Sequence, residues 1–381
     1  MDVEVPADKY TAFMNAVQTL SVANSLNATA HIEIMHEDLA ISIAIESGIV
    51  NRELRAPFSN DAWFDSYHLF DDHMSFLDDL ASTYPNNANI VTSGTSVEGR
   101  TLTGIHIHGS RRNGSRPAIV FHGTVHAREW ITTMVVEYLA YRLLSEYETS
   151  PEVAGFVDSL DFYIFPIVNP DGFVYTQRFD RLWRKNRQKP PRGSHCFGLD
   201  INRNWNVSWY QERGASIDPC ASYYKGLHPA DAPETQGLAD FLDRLTTSSS
   251  GIKMFIDWHS YSQLIMTPYG FTCEDPDNEE LQTIALGFAQ AMRGTYGTDF
   301  RAGSFCKMLY QASGESADYA YSRKSIQYSF TVELRDRGQQ GFILRPEQIR
   351  PSCEEAWAGV RYLLHSIRES PKDVPCARMR L

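Results

Sequence analysis

Apolar residues along the chain recur with two periods, and the switches between them outline the elements. Residues 118–121 form an unbroken apolar run, after which Ile131, Met134, Val135, Tyr138 and Leu139 return at helical spacing. This predicts a buried strand over 117–121 and then a helix ending near Glu146. Upstream, Tyr67, Phe70, Met74, Leu77 and Leu80 predict a helix from about Phe64, closed by Tyr84-Pro85. Val91 and residues 102–107 predict paired strands joined near Glu98-Gly99. Residues 161–168 are almost wholly apolar, the mark of a strand buried on both faces. Asn169-Pro170-Asp171-Gly172 reads as the turn that ends it. Further apolar strands are expected at 254–258 and 328–334. The fold class implied is α/β: a single globular domain with a mixed parallel/antiparallel twisted sheet flanked by helices on both faces.

The first 55 residues pattern differently. Val3 and Val5 predict a strand, residues 6–20 a helix, and residues 31–35 and 40–45 two more strands, the last alternating Ile41, Ile43 and Ile45 with smaller residues. So few elements cannot enclose a core of their own, so this segment is expected to lean on the rest. A polar stretch with Arg52, Arg55 and Pro57 follows as a linker open to proteolysis.

At 381 residues and 43% hydrophobic, the chain can bury a large core. Its net charge of −12, with no run of five or more basic residues, argues against a nucleic-acid partner. No apolar run reaches the roughly 20 residues that span a bilayer, so no membrane is expected. Asp2, Glu4, Asp8 and Lys9 interrupt what an N-terminal signal peptide would keep apolar. Six cysteines outside any C-x-x-C pair, with glycosylation sequons at Asn27, Asn113 and Asn206, nevertheless fit a secreted glycoprotein whose leader is not part of this sequence.

Polar clusters stand at the ends of the predicted elements. His126 and Glu129 lie three residues apart where a strand turns into a helix, so an imidazole nitrogen and a carboxylate oxygen can meet at one point. Standing alone, such a pair is an ordinary solvated helix start. Residues 181–187 and Asp200-Ile201-Asn202-Arg203 are rich in guanidinium, whose fork binds carboxylates through two parallel bonds. His259 ends an apolar strand and, taken singly, reads as a satisfied core histidine. Glu333 sits inside another such strand, where burial raises a carboxyl pKa and suits it to accept a proton, unless Arg335 pairs with it. Together they supply the two-His, one-Glu set of a catalytic zinc site, a base, and groups for carboxylate and oxyanion.

The blocks HAREW, RLWRKNR, DINRNW, HSYSQL, YQASG and VELRDRGQQGF, in this order, resemble the pancreatic-type zinc metallocarboxypeptidases (the M14 family, carboxypeptidase A/B subfamily) over about residues 59–368. The resemblance implies a zinc exopeptidase that removes residues from peptide and protein C-termini. One Zn2+ per chain would be held by His126, Glu129 and His259, with Asp200 orienting the first histidine. Asn202 and Arg203 would capture the terminal carboxylate with Tyr310; Arg128, Arg181 and Tyr261 would contact the substrate along the cleft. Arg184 would stabilise the oxyanion, and Glu333 would act as general base towards a zinc-activated water. Disulfides Cys196–Cys220 and Cys273–Cys306 are implied, leaving Cys353 and Cys376 as a third pair.

By the same resemblance, residues 1–55 are the C-terminal half of an inhibitory propeptide, a small partial α+β unit. Residues 56–62 form the activation linker, 63–368 the catalytic domain and 369–381 a tethered tail. A monomer is expected, with an activating protease as partner. Ala317 stands where members that cleave basic residues carry a carboxylate. With Met266, Gly270, Phe305, Ala312 and Thr331 it outlines a mostly apolar pocket, which favours apolar or aromatic C-terminal residues. Glu315 departs from the family's usual Gly, and residues 321–326 run one residue longer. Glu315 is expected to face solvent; facing inward, it would give a basic preference instead. The other alternative is a non-catalytic relative serving as a binding protein, which the presence of Glu333 and all three ligands disfavours. No G-x-S-x-G elbow supports a serine hydrolase.

Overall fold

The structure of the chain, a computed structural model, describes residues 5–23, 34–47, 61–110, 116–211, 213–247 and 250–368. It divides into two compact units, residues 1–39 and 40–381. The first contains α1 (Tyr10–Ala23), entered through a short 3-10 turn. Helix α2 (Leu39–Ser47) follows at the boundary. The predicted strand over 40–45 is therefore a helix. Its more buried positions, Leu39, Ser42, Ile43 and Glu46, follow helical spacing, whereas Ile41 and Ile45 are exposed. Among the described residues the first 55 form helices and no strand. The predicted strand at 31–35 falls mostly outside the described residues, as does Val3.

The second unit is built on eight strands: β1 (Ala88–Thr95), β2 (Thr101–Ile107), β3 (Ala118–His122), β4 (Asp161–Phe165), β5 (Ile252–His259), β6 (Leu264–Thr267), β7 (Arg301–Ser304) and β8 (Tyr328–Glu333). They form one mixed sheet in the order β1-β2-β4-β3-β5-β8-β6-β7. The four central strands β4, β3, β5 and β8 run parallel, and antiparallel pairs lie outside them. Around the sheet are α3 (Phe70–Thr83), α4 (Trp130–Ser145), α5 (Pro151–Ser159), α6 (Pro170–Arg178), α7 (Pro233–Thr246), α8 (Glu279–Tyr296), α9 (Phe305–Met308), α10 (Ser316–Lys324) and α11 (Ile349–Arg368).

Alternation along the central strands feeds two separate cores. Ile119 and Phe121 of β3, with Met254, Ile256 and Trp258 of β5, pack with α4, α8 and α11. Val120 and Phe255 point the other way, towards α7 and α10. A strand buried on both faces must be apolar at every position, which explains the unbroken runs in the sequence. Two boundaries differ from the sequence reading. The helix expected from Phe64 begins at Phe70, after a 3-10 turn at Asp61–Asp65. Asn169-Pro170-Asp171-Gly172 opens α6 rather than closing a turn: Asn169 caps it by accepting from the Gly172 N–H at 3.1 Å, and Pro170 takes a first-turn position.

Candidate functional site

Parallel strands bring their C-terminal ends to one edge of the sheet, and the sequence places its chemistry there. His126 and Glu129 follow β3, His259 ends β5 and Glu333 ends β8. His259 and Glu333 are direct register partners across β5 and β8. The turn from β3 into α4 is closed by the Glu129 N–H donating to the His126 carbonyl at 3.1 Å, which sets both side chains on the same spot. The segment carrying Arg184 is held against this turn by the Ala127 N–H, which donates to the Arg184 carbonyl at 3.0 Å. The segment carrying Asn202 and Arg203 is likewise tied to Glu315's loop, through the Trp205 N–H and the Gly314 carbonyl. Gly314 has φ +74°, and a Cβ there would meet the Arg203 carbonyl oxygen at 2.3 Å, so no side chain fits.

Three buried ligand atoms converge. His126 Nδ1 lies 2.8 Å from Glu129 Oε1, His259 Nδ1 lies 3.1 Å from Glu129 Oε2, and the two Nδ1 atoms are 3.0 Å apart. These separations compare with about 3.3 Å between neighbouring ligands in a tetrahedral zinc site with bonds of about 2.0–2.1 Å. Two nitrogen lone pairs facing each other beside a carboxylate repel unless a cation or a proton lies between them, so the donor set fits zinc. A second triad, His195, Cys196 and Cys220, is spatially close, but its sulfurs are joined as a disulfide.

Both histidines turn their far nitrogens onto carboxylates. His126 Nε2 is 3.1 Å from Asp200 Oδ1, as expected. His259 Nε2 is 3.1 Å from Asp257 Oδ2, a partner the sequence reading missed. The signal was present: two residues apart on a strand, Asp257 and His259 share a face. Burial pushes both carboxyls upward. Arg184, then His126, hold Asp200 well below its ordinary range, and His259 draws Asp257 down. Ionised carboxylates at Nε2 fix the proton there and leave both Nδ1 atoms free to bind metal.

Arg184 donates from Nε at 3.1 Å and Nη2 at 2.8 Å to Asp200 Oδ2, with Nη1 3.9 Å from Glu129 Oε1. Glu333 is pushed up to about 8, first by burial and then by the Glu129 carboxylate; its Oε2 has no partner among the described residues. Arg203 is fully buried and donates to the carbonyls of Gly214 and Asn202 and to the Tyr310 hydroxyl, the last at 3.0 Å. Asn202 Oδ1 accepts the Ser316 N–H, and its amide nitrogen lies 3.4 Å from His259 Nε2. Met266, Phe305 and Ala312 form a separate apolar cluster with Leu264, and Ala317, Thr331 and Gly270 are also buried.

One residue is not where the sequence reading put it, and a second is already engaged by another part of the chain. Glu315 does not face solvent: it is 1% exposed, with Oε1 3.1 Å from Arg203 Nη1. As the residue just before α10 it is turned inward by the same loop that packs Gly314 on Arg203. Arg181 is not an open contact, because its Nε and Nη2 donate to Glu46 at 2.6 and 2.7 Å while its guanidinium stacks on Trp130. Arg128 lies over the Phe342 ring at 3.8 Å, and the Tyr261 ring packs against the same phenylalanine.

The bridges Cys196–Cys220 and Cys273–Cys306 are present, with Cα atoms 5.1 and 5.0 Å apart. Cys353 is instead a free thiol buried in the core beside α4 and α8, and its expected partner Cys376 lies outside the described residues. So do the sequons at Asn27 and Asn113, while Asn206 is exposed. No helix among the described residues is long and apolar enough to cross a membrane.

Residues 73–359 match the family model described as zinc carboxypeptidase. The chain is 44% identical over 380 residues to a metallocarboxypeptidase A-like protein of Trichophyton verrucosum, covering 97% of this chain and 85% of that one. It is 38% identical over 309 residues to carboxypeptidase A2 of Mus musculus, covering 81% and 72%. The crystal structure of carboxypeptidase A from Helicoverpa armigera superposes with a TM-score of 0.83 at 26% identity, over 97% of this chain and 88% of that one.

Proposed function

Since this chain belongs to the zinc carboxypeptidase family, and is thus a zinc-dependent hydrolase of C-terminal peptide bonds, we propose the following division of work among its residues. His126, Glu129 and His259 hold the zinc, which when bound supplies a Lewis acid able to lower the pKa of a water from 15.7 to about 7. Glu333 accepts the proton of the attacking water on its carboxylate and then delivers it to the leaving amine. Burial raises the proton affinity of this carboxylate, the direction a base needs. Arg184 carries a fixed positive charge beside the ligands and stabilises the oxyanion as the carbonyl is attacked. Arg203, with Asn202 and Tyr310, takes the substrate's terminal carboxylate, a group that an internal peptide bond cannot present.

The observation carrying this reading is that Glu333, the three ligand atoms and Arg184 meet at one edge of the sheet, with Arg203 behind them. We also propose that the first 55 residues serve as the C-terminal half of an inhibitory propeptide. Glu46 then holds Arg181 until an activating protease cuts near Arg52 or Arg55, residues outside the described ones. A pair of peptides differing only in a free or amidated C-terminus tests the exopeptidase reading. Loss of one residue from the acid and none from the amide is expected; equal cleavage of both removes Arg203's role.

A further inference from the structure

The place where a substrate's terminal carboxylate would dock already holds a carboxylate. Glu315 and Arg203 are both almost fully buried and share an ion pair at 3.1 Å. The second Glu315 oxygen lies against Gly270, where any Cβ would collide with it. The carboxyl group thus fills the space between Arg203 and Gly270, beside the apolar cluster of Met266, Phe305 and Ala312. Asp318, the other carboxyl in this wall, has its oxygens engaged by the N–H groups of Gly270 and Phe271.

The proposed docking on Arg203 leads to a charge balance. A C-terminal residue brings one negative charge to a guanidinium whose charge Glu315 already offsets. If its side chain is apolar, Glu315 is left buried against hydrocarbon without a counter-ion or hydrogen-bond partner, a large penalty for either form of a carboxyl. If its side chain is a cation, the incoming residue adds no net charge and gives Glu315 the partner that Arg203 has surrendered. Distance permits this: the substrate's side chain begins one carbon from a carboxylate bound to the guanidinium that Glu315 touches. The methylene stem of a Lys or Arg then packs on Met266, Phe305 and Ala312, as long cationic side chains do.

We propose that Glu315 is the specificity-determining residue of this pocket and selects substrates ending in lysine or arginine, with Gly270 as the gap that admits its carboxylate. This rests on the exopeptidase reading above and names its substrate class. The apolar preference inferred from Ala317 and its neighbours assumed Glu315 in solvent and does not survive its inward position.

The test compares catalytic efficiencies of the zinc-loaded full chain, treated briefly with trypsin that is then inhibited. The substrates are blocked dipeptides identical except for a C-terminal Lys, Arg, Leu or Phe. The parent is expected to favour Lys and Arg by about tenfold or more. Glu315→Gln should lower that ratio by at least tenfold, chiefly through KM for the basic pair. Gly270→Ala, which pushes the carboxylate away, should move it in the same direction. Zinc content and melting temperature report whether each variant is folded. A parent that cleaves Leu or Phe as fast as Lys and Arg overturns the proposal whatever the variants do, and so does an unchanged ratio in folded Glu315→Gln. Failure on all four substrates instead removes the exopeptidase reading, and this inference with it.

Discussion

Asp257 gives a sharp test of how the metal site is held. Its carboxylate is fully buried, with one oxygen shared between His259 Nε2 at 3.1 Å and the Ser316 hydroxyl. Replacing it with alanine takes away the acceptor of the His259 Nε2–H, a loss of about 1–3 kcal/mol for an unsatisfied buried donor. The imidazole can avoid that loss by moving its proton to Nδ1, but Nδ1 points at His126 and Glu129 and then cannot bind metal. Either route lowers zinc affinity, by about 10–100-fold on the scale typical of groups behind metal ligands. Asp257→Asn keeps an acceptor of the same shape and should fall at the lower end. The assay is competition for zinc against a fluorescent chelator at pH 7.5, with turnover measured again at saturating zinc. Turnover should recover substantially once the site is filled, since Asp257 touches neither substrate nor Glu333. Zinc affinity within twofold of the parent in folded Asp257→Ala would show that His259 is oriented by something else.

Two further predictions concern other buried groups. His122 is enclosed by Phe165, Phe255 and Trp205, with no hydrogen-bond partner for either ring nitrogen among the described residues, and burial lowers its pKa to about 4. With the folded value below the unfolded 6.5, the unfolded chain binds the proton first, so stability present above pH 6.5 is lost as pH falls towards 4. Between pH 7.5 and 5 this amounts to about 2 kcal/mol; urea unfolding at both values should show His122→Phe losing that much less than the parent, and equal losses would contradict it. Glu46→Gln removes the charge from the bidentate pair with Arg181, one of the buried kind whose disruption costs about 3–5 kcal/mol. It should raise activity before proteolysis and speed trypsin cleavage at Arg52 or Arg55 by about tenfold or more; unchanged activity and cleavage would detach Glu46 from latency.

How much of this was legible in the sequence depended on whether burial and periodicity agreed. Strands β3, β5 and β8 were readable because being covered on both faces demands apolar residues throughout. Helix α2 was misread because its three isoleucines alternate as in a strand, while its deepest side chain is the charged Glu46. An ion pair with a residue 135 positions away leaves no local trace. Asn169-Pro170-Asp171-Gly172 carries residues common to turns and helix starts alike, and only the cap bond distinguishes them. His126, Glu129, His259 and Glu333 could be singled out together from type and position at strand ends, and the first three do converge. Glu315 was not, since its direction is set by backbone packing between Gly314 and Arg203.

The central claim, that Glu333 performs the proton transfers of a zinc-dependent peptide hydrolysis, is tested most directly by Glu333→Gln. The substitution keeps size and removes the proton acceptor, while His126, Glu129 and His259 are untouched. Zinc stoichiometry and peptide binding should match the parent, and turnover should fall by about 10²–10⁴-fold, the range for loss of a general base. A variant that keeps its zinc and turns over within tenfold of the parent would place the proton transfer on another group and contradict the account.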